Sequence, residues 1–358
     1  MSHKQHIPIN KGNYSMEGPE REERFEAARG DGWEKEYREY RDSWTRLPLA
    51  QEVADYPLLV DAELSSACNL KCPMCYTITD EFKSKVAVQM MKFDLFKKIV
   101  DEIAGKVPAL RISFRGEATL HPKFLECLRY AKDSGIREVS FLTNGSRMKP
   151  DFFQELVAAG ADWITLSIDG TGAMYESIRA PIKFAEILEN VANAAAIKRE
   201  RGLKKPVLKV QSVWPAISED PQGFYNTFAP LVDMVAFNPL IDYLGKDELT
   251  PYVEGFSCPQ LYQRLVIGSD GKAMMCSNDE EGSISVGDAN AQSVHEIWHG
   301  EELNAIRAQH KRLDGFKEFA PCRKCYLPRS IREDEKAVVD GRTITIKNYV
   351  NRSQTIGT

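Results

Sequence analysis

The segment Cys68-Asn-Leu-Lys-Cys72-Pro-Met-Cys75 constrains this chain more than any other. Its three cysteines, separated by three and then two residues, follow directly on an apolar run that reads as a β-strand. Three thiolates converging from one loop suit a [4Fe–4S] cluster, which has four irons to ligate. One iron is then left without a protein ligand, open to a cofactor or a substrate. A cluster used only for structure or electron transfer is normally closed by a fourth cysteine, so the spacing predicts a reactive iron.

With 358 residues the chain can bury a large core and is expected to hold more than one domain. Hydrophobic residues at 43% and charged ones at 28% describe an ordinary water-soluble composition. A net charge of −5 argues against a surface dedicated to nucleic acid. No apolar run reaches the length of a membrane span, and MSHKQHIPINKGNYS lacks the apolar core of a secretory signal. A cytoplasmic location is the expectation, and there grouped cysteines are more often metal ligands than disulfides. Seven of the eight cysteines fall into two groups, at 68–75 and 258–325. The remaining one, Cys127, lies in the amphipathic helical pattern FLECLRYAKDSG and reads as a small core residue.

Residues 1–56 are polar and charged, with a helical stretch at EREERFEAARGDGWEKEYREYRDSW, and form either a docked extension or a mobile arm. Strand patterns then appear at 58–64, 110–114, 139–142, 163–168, 207–213 and 234–238. Helical patterns separate them at 93–103, 122–134, 151–159, 182–201 and about 221–228. This alternation predicts an α/β fold with a parallel sheet and right-handed crossovers. Six repeats are too few for an eight-fold barrel, so a partial barrel or a doubly wound sheet is expected. In both, ligands bind at the C-terminal ends of the strands. The three-cysteine loop follows the first strand there. Arg115-Gly116-Glu117, Thr143-Asn144-Gly145 and Ser167-Ile168-Asp169-Gly170 follow the next three. Each could be only a turn; their shared edge favours function.

The pattern changes after about residue 250. The run 265–276 reads as a hairpin turning at Ser269-Asp270-Gly271, a helix follows near 301–310, and 337–346 reads as a small hairpin around Asp340-Gly341, with the last dozen residues loose. Cys258, Cys276, Cys322 and Cys325 read as one closed four-thiolate site ending in a C-x2-C pair. Spacing alone leaves zinc and iron–sulfur open; the first cysteine loop favours iron. His295-Glu296-Ile297-Trp298-His299 matches the zinc-protease string H-E-x-x-H. Gly300 follows at once, which suits the end of a short helix, so the match reads as chance. Walker A, G-x-S-x-G and G-x-G-x-x-G signatures are absent.

With these residues in view, the chain resembles the radical S-adenosylmethionine (radical SAM) enzymes over about residues 58–330. Cys68, Cys72 and Cys75 match their CxxxCxxC motif. The resemblance implies a partial (β/α)6 TIM-like barrel over 57–245, and a small C-terminal auxiliary-cluster domain of the SPASM/Twitch type over 246–330. The charged extension 1–56 precedes them and a tail, 331–358, follows. In that superfamily the open iron chelates SAM, and reductive cleavage gives a 5′-deoxyadenosyl radical that takes a substrate hydrogen. Gly116-Glu117 is similar to the end of the GGE motif that binds the methionine amino group. Asn144 and the Ser167/Asp169 pair correspond to contacts with the ribose and methionine ends of SAM. Arg179 resembles an arginine paired with the SAM carboxylate. Arg115 replaces the first glycine of GGE, Ala118 the usual proline after it, and Met74 an aromatic residue often found there.

The segment from Gly287 through SVHEIW to Ile306-Arg307 is similar to the SPASM/Twitch linker, and four cysteines rather than seven match the shorter Twitch form. The cysteine pattern resembles that of 2-deoxy-scyllo-inosamine dehydrogenase-type Twitch enzymes. The resemblance implies an auxiliary [4Fe–4S] cluster with no site for substrate, which would take or relay an electron. The expected activity is oxidation of a polyhydroxylated small molecule: a sugar, aminocyclitol or nucleotide sugar. Arg115 and Tyr262 are the candidates for the base, and flavodoxin or ferredoxin is the implied electron donor. Cysteine-dependent epimerisation would need a free cysteine near the substrate, and only Cys127 remains, though a tyrosine could take that role. A peptide maturase is the alternative; its usual leader-binding domain does not fit the short, charged 1–56. A non-enzymatic cluster carrier is disfavoured by the SAM-contact motifs.

Overall fold

The computed structural model describes residues 5–9, 14–238, 252–330 and 333–348. The boundary expected at 245/246 and the loose last dozen residues lie mostly or wholly outside them.

Six parallel strands form the centre: β2 (Leu59–Ala62), β3 (Ala109–Arg111), β4 (Glu138–Thr143), β5 (Trp163–Ser167), β6 (Val207–Val213) and β7 (Met234–Asn238), after a two-residue β1 (Tyr14–Ser15). Their spatial order is β7-β6-β5-β4-β3-β2. Each strand lies beside its sequence neighbour and the order never reverses. A doubly wound sheet requires such a reversal; an unbroken order wraps the sheet one way, as a partial (β/α)6 barrel. The two N-terminal helices are α1 (Pro19–Gly30) and α2 (Glu34–Ala50). The short α3 (Asp80–Lys85) follows the three-cysteine loop. The barrel helices are α4 (Phe93–Ile103), α5 (Phe124–Asp133), α6 (Pro150–Ala158), α7 (Gly172–Ile178), α8 (Phe184–Glu200) and α9 (Pro221–Phe228). On α4, Leu95, Phe96, Ile99, Val100 and Ile103 recur at helical spacing and are buried. Cys127 of α5 is fully buried in the same core.

The N-terminal extension is docked. Tyr37, Tyr40, Trp44 and Leu47 occupy one face of α2 and are all buried. Glycine stands at position 30, the last residue of α1, where a Cβ would lie 2.9 Å from the Tyr37 ring of α2. Arg29 forms a buried fork with Glu138, the first residue of β4, through two bonds of 2.9 Å, and stacks 4.3 Å over the ring of Trp163, the first residue of β5. Burial pulls the Arg29 pKa down, but Glu138 outweighs it and holds the guanidinium above its usual value. The two helices therefore floor the barrel at the N-terminal ends of its strands.

The C-terminal region joins the same sheet, which the sequence pattern did not reveal. β8 (Arg264–Ile267) pairs in parallel with β2, from Leu59↔Arg264 to Ala62↔Ile267. β9 (Lys272–Met274) and β10 (Ser285–Asp288) continue it antiparallel, and β1 pairs with β7 at the far edge, giving ten strands. The helices α10 (Val294–Trp298), α11 (Glu301–His310) and α12 (Ala320–Lys324) follow. The terminal hairpin is longer than expected: β11 (Glu333–Val339) and β12 (Arg342–Asn348) flank Asp340-Gly341.

Replacing Glu138 by Gln should leave the buried Arg29 with only the half-exposed Glu26 as counter-charge and cost about 3 kcal/mol. Urea denaturation of the variant against the parent chain measures this.

Candidate active site

The three-cysteine loop leaves β2 at the C-terminal edge of the barrel, and the βα loops meet it there. Gly116 is the tightest contact: a Cβ would lie 2.4 Å from the Ala67 carbonyl oxygen and 2.6 Å from that of Ser65. The Glu117 backbone N–H donates to the same Ala67 oxygen at 2.8 Å. Glycine at 116 is thus required for the loop after β3 to seat against the stem of the cysteine loop.

Glu117 is 2% exposed. Its Oε1 accepts from the Thr119 hydroxyl at 2.6 Å and the Thr143 hydroxyl at 2.8 Å, and its Oε2 from the Asn144 backbone N–H at 2.7 Å. Asn144 in turn donates to Asn69 Oδ1 at 2.8 Å, inside the cysteine loop. Asp169, 1% exposed, accepts from Arg179 Nε at 2.7 Å and from the Val213 N–H at 2.9 Å. Burial lowers the Arg179 pKa, but Asp169 and then the nearby Cys72 more than reverse this. Cys72 is itself pushed up to about 11, chiefly by burial, with Arg179 opposing. Arg179 holds Asp169 through Nε and Nη2, which leaves Nη1 for another acceptor beside the cysteine loop. Ser167 closes β5 on the same edge, half-buried. The structure therefore gathers Gly116, Glu117, Asn144, Ser167, Asp169 and Arg179 around the strand ends that carry Cys68, Cys72 and Cys75.

The two candidate bases are not open to a substrate proton. Arg115 donates through Nε at 2.6 Å and Nη2 at 2.5 Å to Glu63 and through Nη1 to the Glu280 carbonyl at 3.1 Å. Burial opposes its charge and the Glu63 bonds more than restore it, so Arg115 is a fixed cation that accepts no proton. Tyr262 is fully buried with no partner for its hydroxyl among the described residues, and burial raises its pKa to about 12. Glu63, which the sequence reading missed, is the larger finding. It also accepts the Ser269 N–H at 2.9 Å, tying the β8–β9 turn to the cysteine-loop edge. An acid closing an apolar strand, two residues before the serine pair of the loop, was the available signal.

Cys258, Cys276, Cys322 and Cys325 line one small apolar cavity and none is in a disulfide. Burial pushes Cys258 up to about 12, with the neighbouring Cys325 adding to it, and raises Cys276 and Cys322 well above the usual thiol range. Four converging thiols that resist ionisation alone fit a bound cationic group, which is what stabilises thiolates there. Asn278 donates to Cys325 Sγ at 3.1 Å, and His310 Nε2 lies 3.7 Å from Cys322 Sγ with burial lowering its pKa to about 4. Such bonds to sulfur tune a cluster potential. A cleft of about 290 Å³ lies between the two cysteine regions, lined by Tyr76 and Phe82 on one side and Asp279, Glu281 and Lys324 on the other.

His295 and His299 do share a face, with Asp55 beside them: His295 Nε2 is 3.0 Å from Asp55 Oδ1 and His299 Nε2 2.9 Å from the Asp55 carbonyl. The Glu296 carboxylate, the base of the protease string, is instead committed to a capping box with Ser293. The zinc-protease reading falls on that bond.

Comparison with known proteins identifies two domains. The radical SAM superfamily matches residues 63–207, and an iron–sulfur cluster-binding domain, SPASM, matches 258–326. The second match decides between zinc and iron–sulfur. The chain is 34% identical over 117 residues to the AdoMet-dependent heme synthase of Methanosarcina barkeri, covering 33% of this chain and 32% of that protein. It is 30% identical over 155 residues to the tungsten-containing aldehyde ferredoxin oxidoreductase cofactor-modifying protein of Pyrococcus furiosus, covering 42% of each. The chain thus aligns with about a third to two fifths of these curated relatives. Among solved structures, BtrN in complex with AdoMet and 2-DOIA superposes with a TM-score of 0.54 at 17% identity, over 75% of this chain and 92% of that one. SuiB of Streptococcus suis bound to its precursor peptide SuiA gives 0.52 at 13%, over 76% and 71%.

Anaerobically reconstituted protein should carry about eight irons, four per cluster. Gly116→Ala should drive the loops apart and lower this to about four with loss of SAM cleavage; an iron assay with EPR checks it, and eight irons in the variant would contradict the packing argument. The matched domains agree with the two thiol sites: this chain carries a radical SAM domain over residues 63–207 and a SPASM iron–sulfur cluster-binding domain over residues 258–326.

Proposed function

We propose that this radical SAM enzyme is an oxidoreductase that dehydrogenates a polyhydroxylated small molecule such as a sugar, aminocyclitol or nucleotide sugar. In this reading Cys68, Cys72 and Cys75 hold the SAM-binding cluster. Gly116, Glu117, Asn144, Ser167, Asp169 and Arg179 form the SAM side of the site. Cys258, Cys276, Cys322 and Cys325 hold the auxiliary cluster. The observation that carries the proposal is the closed four-thiol site across a cleft from the cysteine loop. Four thiolates leave no ligand position for substrate, which suits an electron acceptor.

The bound cofactors supply a 5′-deoxyadenosyl radical for the substrate hydrogen and an acceptor for the second electron. The chain's own residues do the rest. The barrel interior, about 520 Å³, presents hydroxyl and amide side chains including Ser140, Thr165 and Gln211, which suit a hydroxylated ligand. The α1–α2 helices line the interior from below through Phe25, Arg29, Tyr40 and Trp44. Arg115 positions the loop through Glu63 rather than accepting a proton. Cys127 is fully buried on α5 with its thiol raised to about 12 by burial, which leaves no cysteine to return a hydrogen in an epimerisation.

Relatives named as mycofactocin maturases, 29% identical over 145 residues in one case, make a peptide the competing substrate class. The eight thiols, none in a disulfide, support a reducing compartment such as the cytoplasm, with flavodoxin or ferredoxin as electron donor. Among the described residues no helix is long and apolar enough to cross a membrane.

The test is product analysis after anaerobic turnover with SAM, dithionite and a panel of sugars, aminocyclitols and nucleotide sugars. One 5′-deoxyadenosine per product and a mass lower by two hydrogens is expected. Products of unchanged mass, or turnover confined to a precursor peptide, would overturn the reading. Cys322→Ser should abolish oxidised product while retaining some SAM cleavage; equal loss of both would make the second site structural.

A further inference from the structure

We propose that the floor of the barrel interior is an oxyanion subsite centred on Lys209, so that the substrate is a polyhydroxylated molecule bearing a carboxylate or phosphate. This deepens the proposed function and rests on the interior being the substrate chamber.

Lys209 is the third residue of β6 and lines the 520 Å³ interior, with 9% of its surface exposed. Every other buried cation at this level has a carboxylate. Arg29 forks onto Glu138 and reaches Glu26 at 3.2 Å. Arg41 lies 3.5 Å from Glu26. Arg111 and Arg264 share Asp61, at 2.7 and 3.4 Å. Glu22 also lines the chamber but is exposed. Lys209 has no hydrogen bond or ion pair among the described residues, only the Trp163 ring at 6.0 Å. A buried ammonium without an anion is costly, so a fold that keeps one here implies an anion that arrives later.

The neighbouring polar atoms point the same way. The indole Nε1–H of Trp163 and the Nε–H of Arg264, both on chamber-lining residues, are buried without an acceptor among the described residues. Thr165, in register with Lys209 on β5, adds a hydroxyl to the wall. Unsatisfied donors around a lone cation call for a ligand that only accepts. Burial, reinforced by Arg29, lowers the Lys209 pKa to about 8; a bound anion would raise it again.

The depth fits a ring-sized substrate. Along β6, Gln211 and Val213 follow Lys209 on the same face, and the Val213 N–H is held by Asp169 at the SAM edge. Four strand residues span about 13 Å. The Lys209 ammonium faces the Trp163 ring, which is in register with Val207 nearer the floor, so that height is left for one sugar-sized ring between the anchored acid and the reacting carbon.

The experiment uses the reconstituted full chain and calorimetric titration at pH 7 with malonate, inorganic phosphate and, as a neutral isostere, malonamide. Saturable binding of malonate or phosphate but not malonamide is expected, and which anion binds tighter separates a carboxylate from a phosphate substrate. Lys209→Met should weaken that anion at least tenfold, and Lys209→Arg should retain most of the affinity. Lys209→Met keeps the stem and removes the unpaired charge, so it should melt at or above the parent chain. Binding needs the ammonium, so affinity should fall about tenfold per pH unit above about 8 in the parent and stay flat in Lys209→Met. Equal binding of malonamide, equal anion binding by Lys209→Met, or no saturable anion binding would overturn the subsite. The titration involves no turnover, so its outcome stands apart from whether the net reaction is an oxidation.

Discussion

The Glu63 carboxylate, fully buried at the C-terminal end of β2, is the contact on which the arrangement of both cofactor regions depends. It accepts Arg115 from the loop after β3 and the Ser269 N–H from the β8–β9 turn. Arg115 then reaches the Glu280 carbonyl, beside the auxiliary cysteines. A buried carboxylate is tolerated only when its charge and lone pairs are met, so these segments must close on one another for any of them to be stable. The same closure sets the cysteine loop beside the SPASM-type domain and forms the cleft between them. The departure from the usual glycine at position 115 is thereby explained: an arginine there couples the two halves.

Charge also organises the barrel interior. An apolar interior would be simpler to stabilise, yet Asp61, Glu138, Arg29, Arg111, Arg264 and Lys209 all lie within or beneath it. The paired ones build the floor and fix α1 and α2 to the strand starts. The thiols follow the opposite logic. Burial raises Cys72, Cys258, Cys276 and Cys322 above the usual range, so they ionise only with a bound positive centre. Folding supplies the geometry, and cluster assembly supplies the charge that the geometry lacks.

Much of this was legible from local pattern. The strands over 207–213 and 234–238 and the helices over 93–103 and 301–310 have the same limits in both readings, because alternating and 3.6-residue apolar spacings survive in a core of this kind. Cys127 was read as core from its helical face and is fully buried. The candidate bases stand differently from their reading. Arg115 and Tyr262 were chosen by position and chemistry, but Glu63 neutralises one and burial seals the other. The H-E-x-x-H string was set aside on Gly300; its two histidines do converge with Asp55, and the Glu296 cap is what removes the protease reading.

By itself the sequence determined the cysteine spacing, the βα rhythm and the glycine at 116, because these follow from covalent order and local sterics. Only the tertiary structure decided three other things. The second domain's hairpin joins the barrel sheet through β2 and β8, the charged N-terminal helices pack beneath the barrel, and Lys209 stands without a counter-charge among the described residues. Each of these depends on residues roughly a hundred or more positions apart, and no local pattern encodes which distant strand or carboxylate will be the neighbour.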